Sequence, residues 1–203
     1  MDFLENYLGL TLKKRYIGTL KSGILGLIVM NDIVEIPSYD EDFNQVVLEE
    51  TYGTVLITPT LFNIKNMNRK RYTEVHEAAH YILHKQYYNN LQKKASTNKN
   101  HYIACRKVEL HNKNPKTDSD WMEWQADTLA AALLMPQRMF TVFTKAVFYK
   151  YGICNGYIMV DDFVHKVQVR SIIKEVAEKF CVSYRAAQIR MLHLGLIRSP
   201  YVY

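Results

Sequence analysis

The sequence has no apolar run approaching the roughly 18 residues that a membrane-spanning helix needs. Its most hydrophobic stretch, Ile24 to Met30, has only the length of a buried strand. Cysteine is scarce. Cys105, Cys154 and Cys181 are odd in number, far apart and in no C-x-x-C pair, which argues against a disulfide framework or a thiolate zinc site. A secretory signal is equally hard to find: Asp2 and Glu5 come early, and Lys13, Lys14, Arg15 and Lys21 interrupt the apolar residues that follow. A cytoplasmic protein without membrane contact is expected. No internal repeat or low-complexity block is visible.

What remains is an ordinary globular composition. With 203 residues, 48% hydrophobic and 23% charged, the chain can bury a real core as one large domain, or as one domain with a small appendage. Its net charge of +6 is dispersed. Lys65, Arg69, Lys70 and Arg71 form one group, and further lysines fall between Lys93 and Lys116. Such a surplus suits nucleic acid or an acidic partner, but its dispersal favours a solvated face.

The most informative stretch is Tyr72 to Lys85, YTEVHEAAHYILHK. His76, Glu77 and His80 stand in the order H-E-x-x-H within a run that reads as helix. Residues four apart lie on one helix face about 6 Å apart, so both imidazoles can reach one ion. Glu77 is rotated off that line, where a carboxylate can address water without being a ligand. This is the arrangement of zinc hydrolases, with the glutamate as general base.

Around it, residues 3 to 20 read as a helix with Phe3, Leu4, Tyr7 and Leu8 as an apolar stripe. Strand-like segments follow at Ile24–Met30, Asp32–Ile36, Val46–Glu49 and Gly53–Thr58, with Pro37 and Pro59 closing two of them. A small, largely antiparallel sheet leading into the histidine helix is the natural assembly, an α+β fold. That helix is expected to start near Asn68 and to bury Tyr72, Val75, Ala79, Ile82 and Leu83. Residues 86 to 118 read as a long polar connection with a short strand around 102–110, either a lid or a partly disordered segment. Asp118 or Ser119 offers an N-cap for a helix over Trp121–Leu134, and a third helix spans about Gln137–Lys150.

A catalytic zinc site takes three protein ligands and leaves one position open. Glu123 and Asp127 lie four apart on the second helix, and small residues at Ala126, Ala130, Ala131 and Ala132 allow a close approach. Glu123 can be the third ligand, with Asp127 accepting from a ligand histidine. Both can equally be solvent-facing acids near a helix N-terminus, where the dipole favours them. Spacing alone leaves these readings balanced.

The segments HEAAHYILH and EWQADTLAAALLMP, some forty residues apart, resemble the ImmA/IrrE family of bacterial metallopeptidases. TYGTVLITPTLFNIKNMNRKRYTEVHEAAH and the late VAEKFCVSYRAAQIRMLHLGLI are also similar to that family, so the resemblance runs from about Gly26 to Ile197. One departure is mild: a glycine often precedes the second histidine, and here Ala79 stands there. The resemblance implies one Zn²⁺ per chain on His76, His80 and Glu123, with Glu77 as catalytic base. It also implies a zincin-like helical core, with residues 1–165 as the peptidase domain and 166–203 as a helical hairpin packed on it. The implied activity is a zinc-dependent endopeptidase cleaving a helix-turn-helix transcriptional repressor, which would derepress a mobile-element, prophage or stress operon.

Several residues stay outside that scheme. His84 continues the line of His76 and His80, but at about 12 Å along the axis from His76 it is too far to share their ion. It is expected to be structural. His101, His111, Tyr72, Tyr87 and Tyr88 are candidates for polarising a substrate carbonyl, with none preferred. Residues 171–194 read as helix, turn, helix with Ser183 as N-cap, and Arg185, Gln188, Arg190 and His193 are types that can read DNA. The same hairpin can instead pack on the catalytic domain, which is favoured. The competing functional reading is a non-catalytic regulatory module that binds a repressor or DNA and uses metal only for structure.

Overall fold

The computed structural model describes residues 3–18, 23–94, 102–106, 117–159 and 163–198. It is an α+β fold with two compact units, Met1–Ala130 and Ala131–Tyr203. The sequence-based boundary at 165/166 falls inside a helix, Phe163–Phe180, while the division between units falls within the helix that carries Glu123.

In the first unit a π-helical turn, Phe3–Tyr7, leads into β1 (Thr11–Lys14). The expected helix over 3–20 is therefore wrong. Gly9, at φ +67°, turns the chain, and β1 pairs in parallel with β5 (Thr54–Ile57), Thr11 facing Thr54. Pairing with a strand forty residues away outweighs the short local stripe. β2 (Ile24–Val29) lies antiparallel to β5 on one side and to β6 (Tyr102–Arg106) on the other, giving the order β1-β5-β2-β6. A separate hairpin pairs β3 (Ile33–Tyr39) with β4 (Gln45–Thr51). Pro37 sits inside β3 rather than ending it, which is tolerated because β4 is its only ladder partner among the described residues.

Both faces of β2 are buried, which is why it reads as an unbroken apolar run. Leu27 and Val29 join Val34 and Ile36 in one core, while Ile28 and Met30 join Val55, Ile57, Leu61 and Ala78 in the other. Ala78 belongs to α1 (Met67–Lys94), which packs on β2, β5 and β6. Residues 73–80 of α1 are buried on every side. Ile82 and Leu83 are exposed instead of buried. The buried positions of α1 are largely polar (Lys70, Thr73, Glu74, His76, Glu77, His80 and His84), so its apolar residues do not mark its inner side.

α2 (Asp118–Leu134) starts three residues before the expected Trp121. Thr117 caps it: the Asp120 N–H donates to Thr117 Oγ1 at 3.1 Å and the Thr117 N–H to Asp120 Oδ2 at 3.0 Å, a reciprocal capping box. In the second unit α3 (Gln137–Lys150) ends at Gly152, whose φ of +77° reverses the chain. α4 (Phe163–Phe180) and α5 (Tyr184–His193) form the expected hairpin, and Ser183 caps α5 by accepting from the Ala186 N–H. Their inner faces bury Ile172, Ile173, Val176, Ala187 and Met191. The segment after 153 holds a two-residue strand β7 (Ile158–Met159) parallel to β8 (Ile197–Arg198). Among the described residues no helix is long and apolar enough to cross a membrane. The expected 86–118 connection is shorter than that, because α1 runs on to Lys94; His101, His111 and the rest of 95–101 and 107–116 lie outside the described residues.

Candidate metal centre

Tyr72, His76, His80 and His84 recur every fourth residue of α1 and so share one face. Across from it, α2 supplies Asp127 to Tyr72 and His76, Glu123 to both His76 and His80, and Gln125 to His84. The two acids are one turn apart on α2, just as the two histidines are on α1. Each acid therefore meets its partners at matching height.

The distances define the centre. His76 Nε2 lies 3.0 Å from His80 Nε2 and 3.2 Å from Glu123 Oε2, and His80 Nε2 lies 3.4 Å from Glu123 Oε1. Ligands at 2.0–2.1 Å from a tetrahedral ion stand about 3.3 Å apart. The three separations bracket that edge length, and the two-nitrogen, one-oxygen donor set suits a divalent transition metal. The residues fit a metal ion.

Protonation points the same way. Asp127 Oδ1 accepts from His76 Nδ1 at 2.9 Å. A carboxylate can only accept, so the neutral ring carries its proton on Nδ1 and leaves Nε2 bare. Burial pushes the His80 imidazole below its ordinary value; Glu123 pulls the other way and does not offset it. His80 is therefore held neutral, as a metal ligand must be. Burial raises the Glu123 carboxyl, but hydrogen bonding and charge from His76 and His80 outweigh it and hold the group well below the usual carboxylate range. An ionised carboxylate and two ring nitrogens thus converge on one point.

The chain's match to a known family can now be placed on this geometry. The family model of the IrrE N-terminal-like domain, Peptidase_M78, matches residues 63–192. The chain belongs to this family. The matched region includes α1, α2 and the α4–α5 hairpin, and so every side chain of the centre. Membership in this peptidase family, together with the His-His-Glu cluster, suggests a metallopeptidase. Comparison with curated proteins gives no match.

The remaining candidate residues fall in three places. Glu77 is fully buried, its carboxylate packed over Gly26 of β2. Tyr72 Oη lies 3.3 Å from Asp127 Oδ1 and Tyr88 Oη 4.0 Å from Met122 Sδ, while Tyr87 is half exposed. His84, expected to be structural, is buried and touches the centre through His80.

Two participants went unread in the sequence. Gly26 has no Cβ because Thr73 Cγ2 and Glu77 Oε1 would lie 2.5 and 2.7 Å from it. A glycine in an apolar strand hints at a close approach, but not at which side chain approaches. Gln125, at 3.0 Å from His84, carries no sequence signal.

Proposed function

We propose that the protein is a zinc-dependent endopeptidase with one Zn²⁺ held by His76, His80 and Glu123. The observation that carries this reading is the convergence of His76 Nε2, His80 Nε2 and Glu123 at ligand spacing. Bound there, zinc supplies Lewis acidity toward a peptide carbonyl and acidifies water. Asp127 holds the His76 ring by its Nδ1–H. Glu77, set on the same helix but off the ligand line, takes the proton from the attacking water and returns it to the leaving amine. Family membership supports peptide hydrolysis. The substrate in this reading is a helix-turn-helix transcriptional repressor of a mobile-element, prophage or stress operon, cleaved in the cytoplasm to release the operon.

The competing reading, a non-catalytic module holding a repressor or DNA, draws less support. Arg190, one of the residues that would contact DNA, donates from Nε to the Met135 carbonyl at 3.2 Å and caps the chain there. Arg185 is turned to Gln188 at 3.1 Å.

Elemental mass spectrometry on wild type and Glu123→Ala, purified without chelators, tests the centre. One zinc per wild-type chain and its loss in the variant is the expected result. A wild type that stays empty when offered Zn²⁺ overturns the reading. Glu77→Gln should keep the metal and lose cleavage by about 10²–10⁴-fold.

A further inference from the structure

We propose that Gln125 and His84 form a hydrogen-bond relay that sets which nitrogen of His80 carries the proton, and so hold the His80 Nε2 lone pair open toward the metal centre. This rests on the metal-site reading above and deepens it.

The two ligand histidines are supported differently. His76 backs onto Asp127, an acceptor with no proton to offer, which sets the polarity of its Nδ1. His80 has no carboxylate behind its Nδ1; Glu123 stands on its Nε2 side, at 3.4 Å. Its Nδ1 faces Nδ1 of His84 at 3.0 Å, and both rings are buried, His80 completely. The two facing atoms are chemically identical. One proton lies between them, and the local geometry does not say which ring owns it.

The far end of the chain breaks that symmetry. His84 Nε2 lies 3.0 Å from Gln125 Oε1. A carbonyl oxygen accepts, so His84 must donate from Nε2, and a neutral ring with its proton on Nε2 has a bare Nδ1. That bare nitrogen accepts from His80 Nδ1–H, which strips His80 Nε2 of its proton. If the outer partner were a donor, every step would reverse. His84 would carry its proton on Nδ1, His80 would be pushed to the Nε2–H form, and that hydrogen would point at Glu123 and His76 where an ion should sit. The polarity of one side chain on α2 therefore sets the polarity of a ligand two hydrogen bonds away. His84 and Gln125 are positioning residues for His80, acting on it through the relay.

Gln125 is exposed on α2, so its polarity can be reversed without opening the core. Gln125→Glu keeps an acceptor, whereas Gln125→Lys offers only a donor. Thr128, also exposed on α2, carries the charge controls, Thr128→Glu and Thr128→Lys. Two readouts separate the relay from general electrostatics. The first is long-range ¹H–¹⁵N correlation on the metal-free protein, which reports which ring nitrogen of His80 is protonated. Wild type and Gln125→Glu should show Nδ1–H, and Gln125→Lys should show Nε2–H. The second is Zn²⁺ affinity by chelator competition. Gln125→Lys should bind about 10–100-fold more weakly than Thr128→Lys, the usual range for an outer-shell partner, and Gln125→Glu no more weakly than Thr128→Glu. The relay is overturned if wild-type His80 carries its proton on Nε2, or if the Gln125 variants merely track their Thr128 controls. A wild type that binds no zinc would sink the metal-centre reading, while the tautomer measurement on the metal-free protein would still decide the relay.

Discussion

Gly26→Ala probes how the proposed base is held. A Cβ at this position would stand 2.5 Å from Thr73 Cγ2 and 2.7 Å from Glu77 Oε1. Ordinary contacts of that kind are at about 3.5 Å or more, so helix and strand must part or the Glu77 carboxylate must move by most of an ångström. Retreat is difficult. Glu77 is fully buried, Thr73 is nearly so, and Ala78 beside them is locked in the core under β2 and β5. Overpacking of this kind costs about 1–3 kcal/mol, and at about 2–4 °C per kcal/mol for a chain of this size the melting midpoint should fall by roughly 2–12 °C. A catalytic group misplaced by about 1 Å can cost 10²-fold in rate. The ligand nitrogens are held from α2 by Asp127 and Glu123 and should stay in place. The expected profile is unchanged zinc stoichiometry, a lower melting midpoint and a turnover loss approaching 10²-fold. Differential scanning calorimetry, elemental analysis and cleavage of a peptide library followed by mass spectrometry measure the three. Full turnover with an unchanged midpoint would show that Glu77 does not use the space that Gly26 leaves.

Three further outcomes are expected. Asp127→Asn can present an amide N–H to His76 Nδ1 instead of an acceptor, so zinc affinity should drop by about 10–100-fold; an unchanged dissociation constant would detach Asp127 from the centre. Burial lowers the His80 pKa below 6.5, so below that value the unfolded chain binds the proton more readily than the folded one, and stability is lost as pH falls from the unfolded value toward the folded one. The melting midpoint of the metal-free protein should thus fall on acidification through pH 6.5, and less steeply in His80→Gln; parallel slopes would rule His80 out as the source. Lys70 and Glu74 form an ion pair on α1 with side chains 3% and 7% exposed. Lys70→Met should cost about 3–5 kcal/mol by stranding a buried charge, and adding Glu74→Leu should recover much of it. Chemical denaturation of both variants checks this, and a near-neutral single substitution would mean that the charge reaches water.

What could be read in advance followed from whether local chemistry or distant packing decides each element. The spacing of His76 and His80, and of Glu123 and Asp127, is a property of single helices, and the structure gathers those side chains at the predicted heights. α3 and the α4–α5 turn were legible because Gly152 and Ser183 act within a few residues of themselves. Residues 3–20 were misread because β1 exists only by pairing with β5. Ile82 and Leu83 misled in the opposite sense. The middle of α1 is buried by contacts on both sides, and its inward positions are taken by polar side chains that periodicity counts as outward. Gly26 and Gln125 were silent because their meaning lies in what comes near them, from another strand and another helix.

The polar interior of α1 also explains why the centre should be rigid before any ion arrives. Burying Lys70, Glu74, His76, His80 and His84 on one helix is unfavourable unless each finds a partner. Each does so within the first unit: Lys70 with Glu74, His76 with Asp127, and His80 through His84 with Gln125. These contacts fix side-chain direction as well as satisfying it. On the α2 side they aim two ring nitrogens and one carboxylate at a common point. On the sheet side the missing Cβ of Gly26 admits the carboxylate of Glu77 and leaves it little room to wander. Ligands and proposed base thus hang from one helix gripped on two faces, so their relative positions depend on helical geometry more than on loop conformation. Precision of that kind is what positioning for a single proton transfer requires. It follows that substitutions on the outer faces of this framework should act on the site in proportion to how far they turn or shift α1.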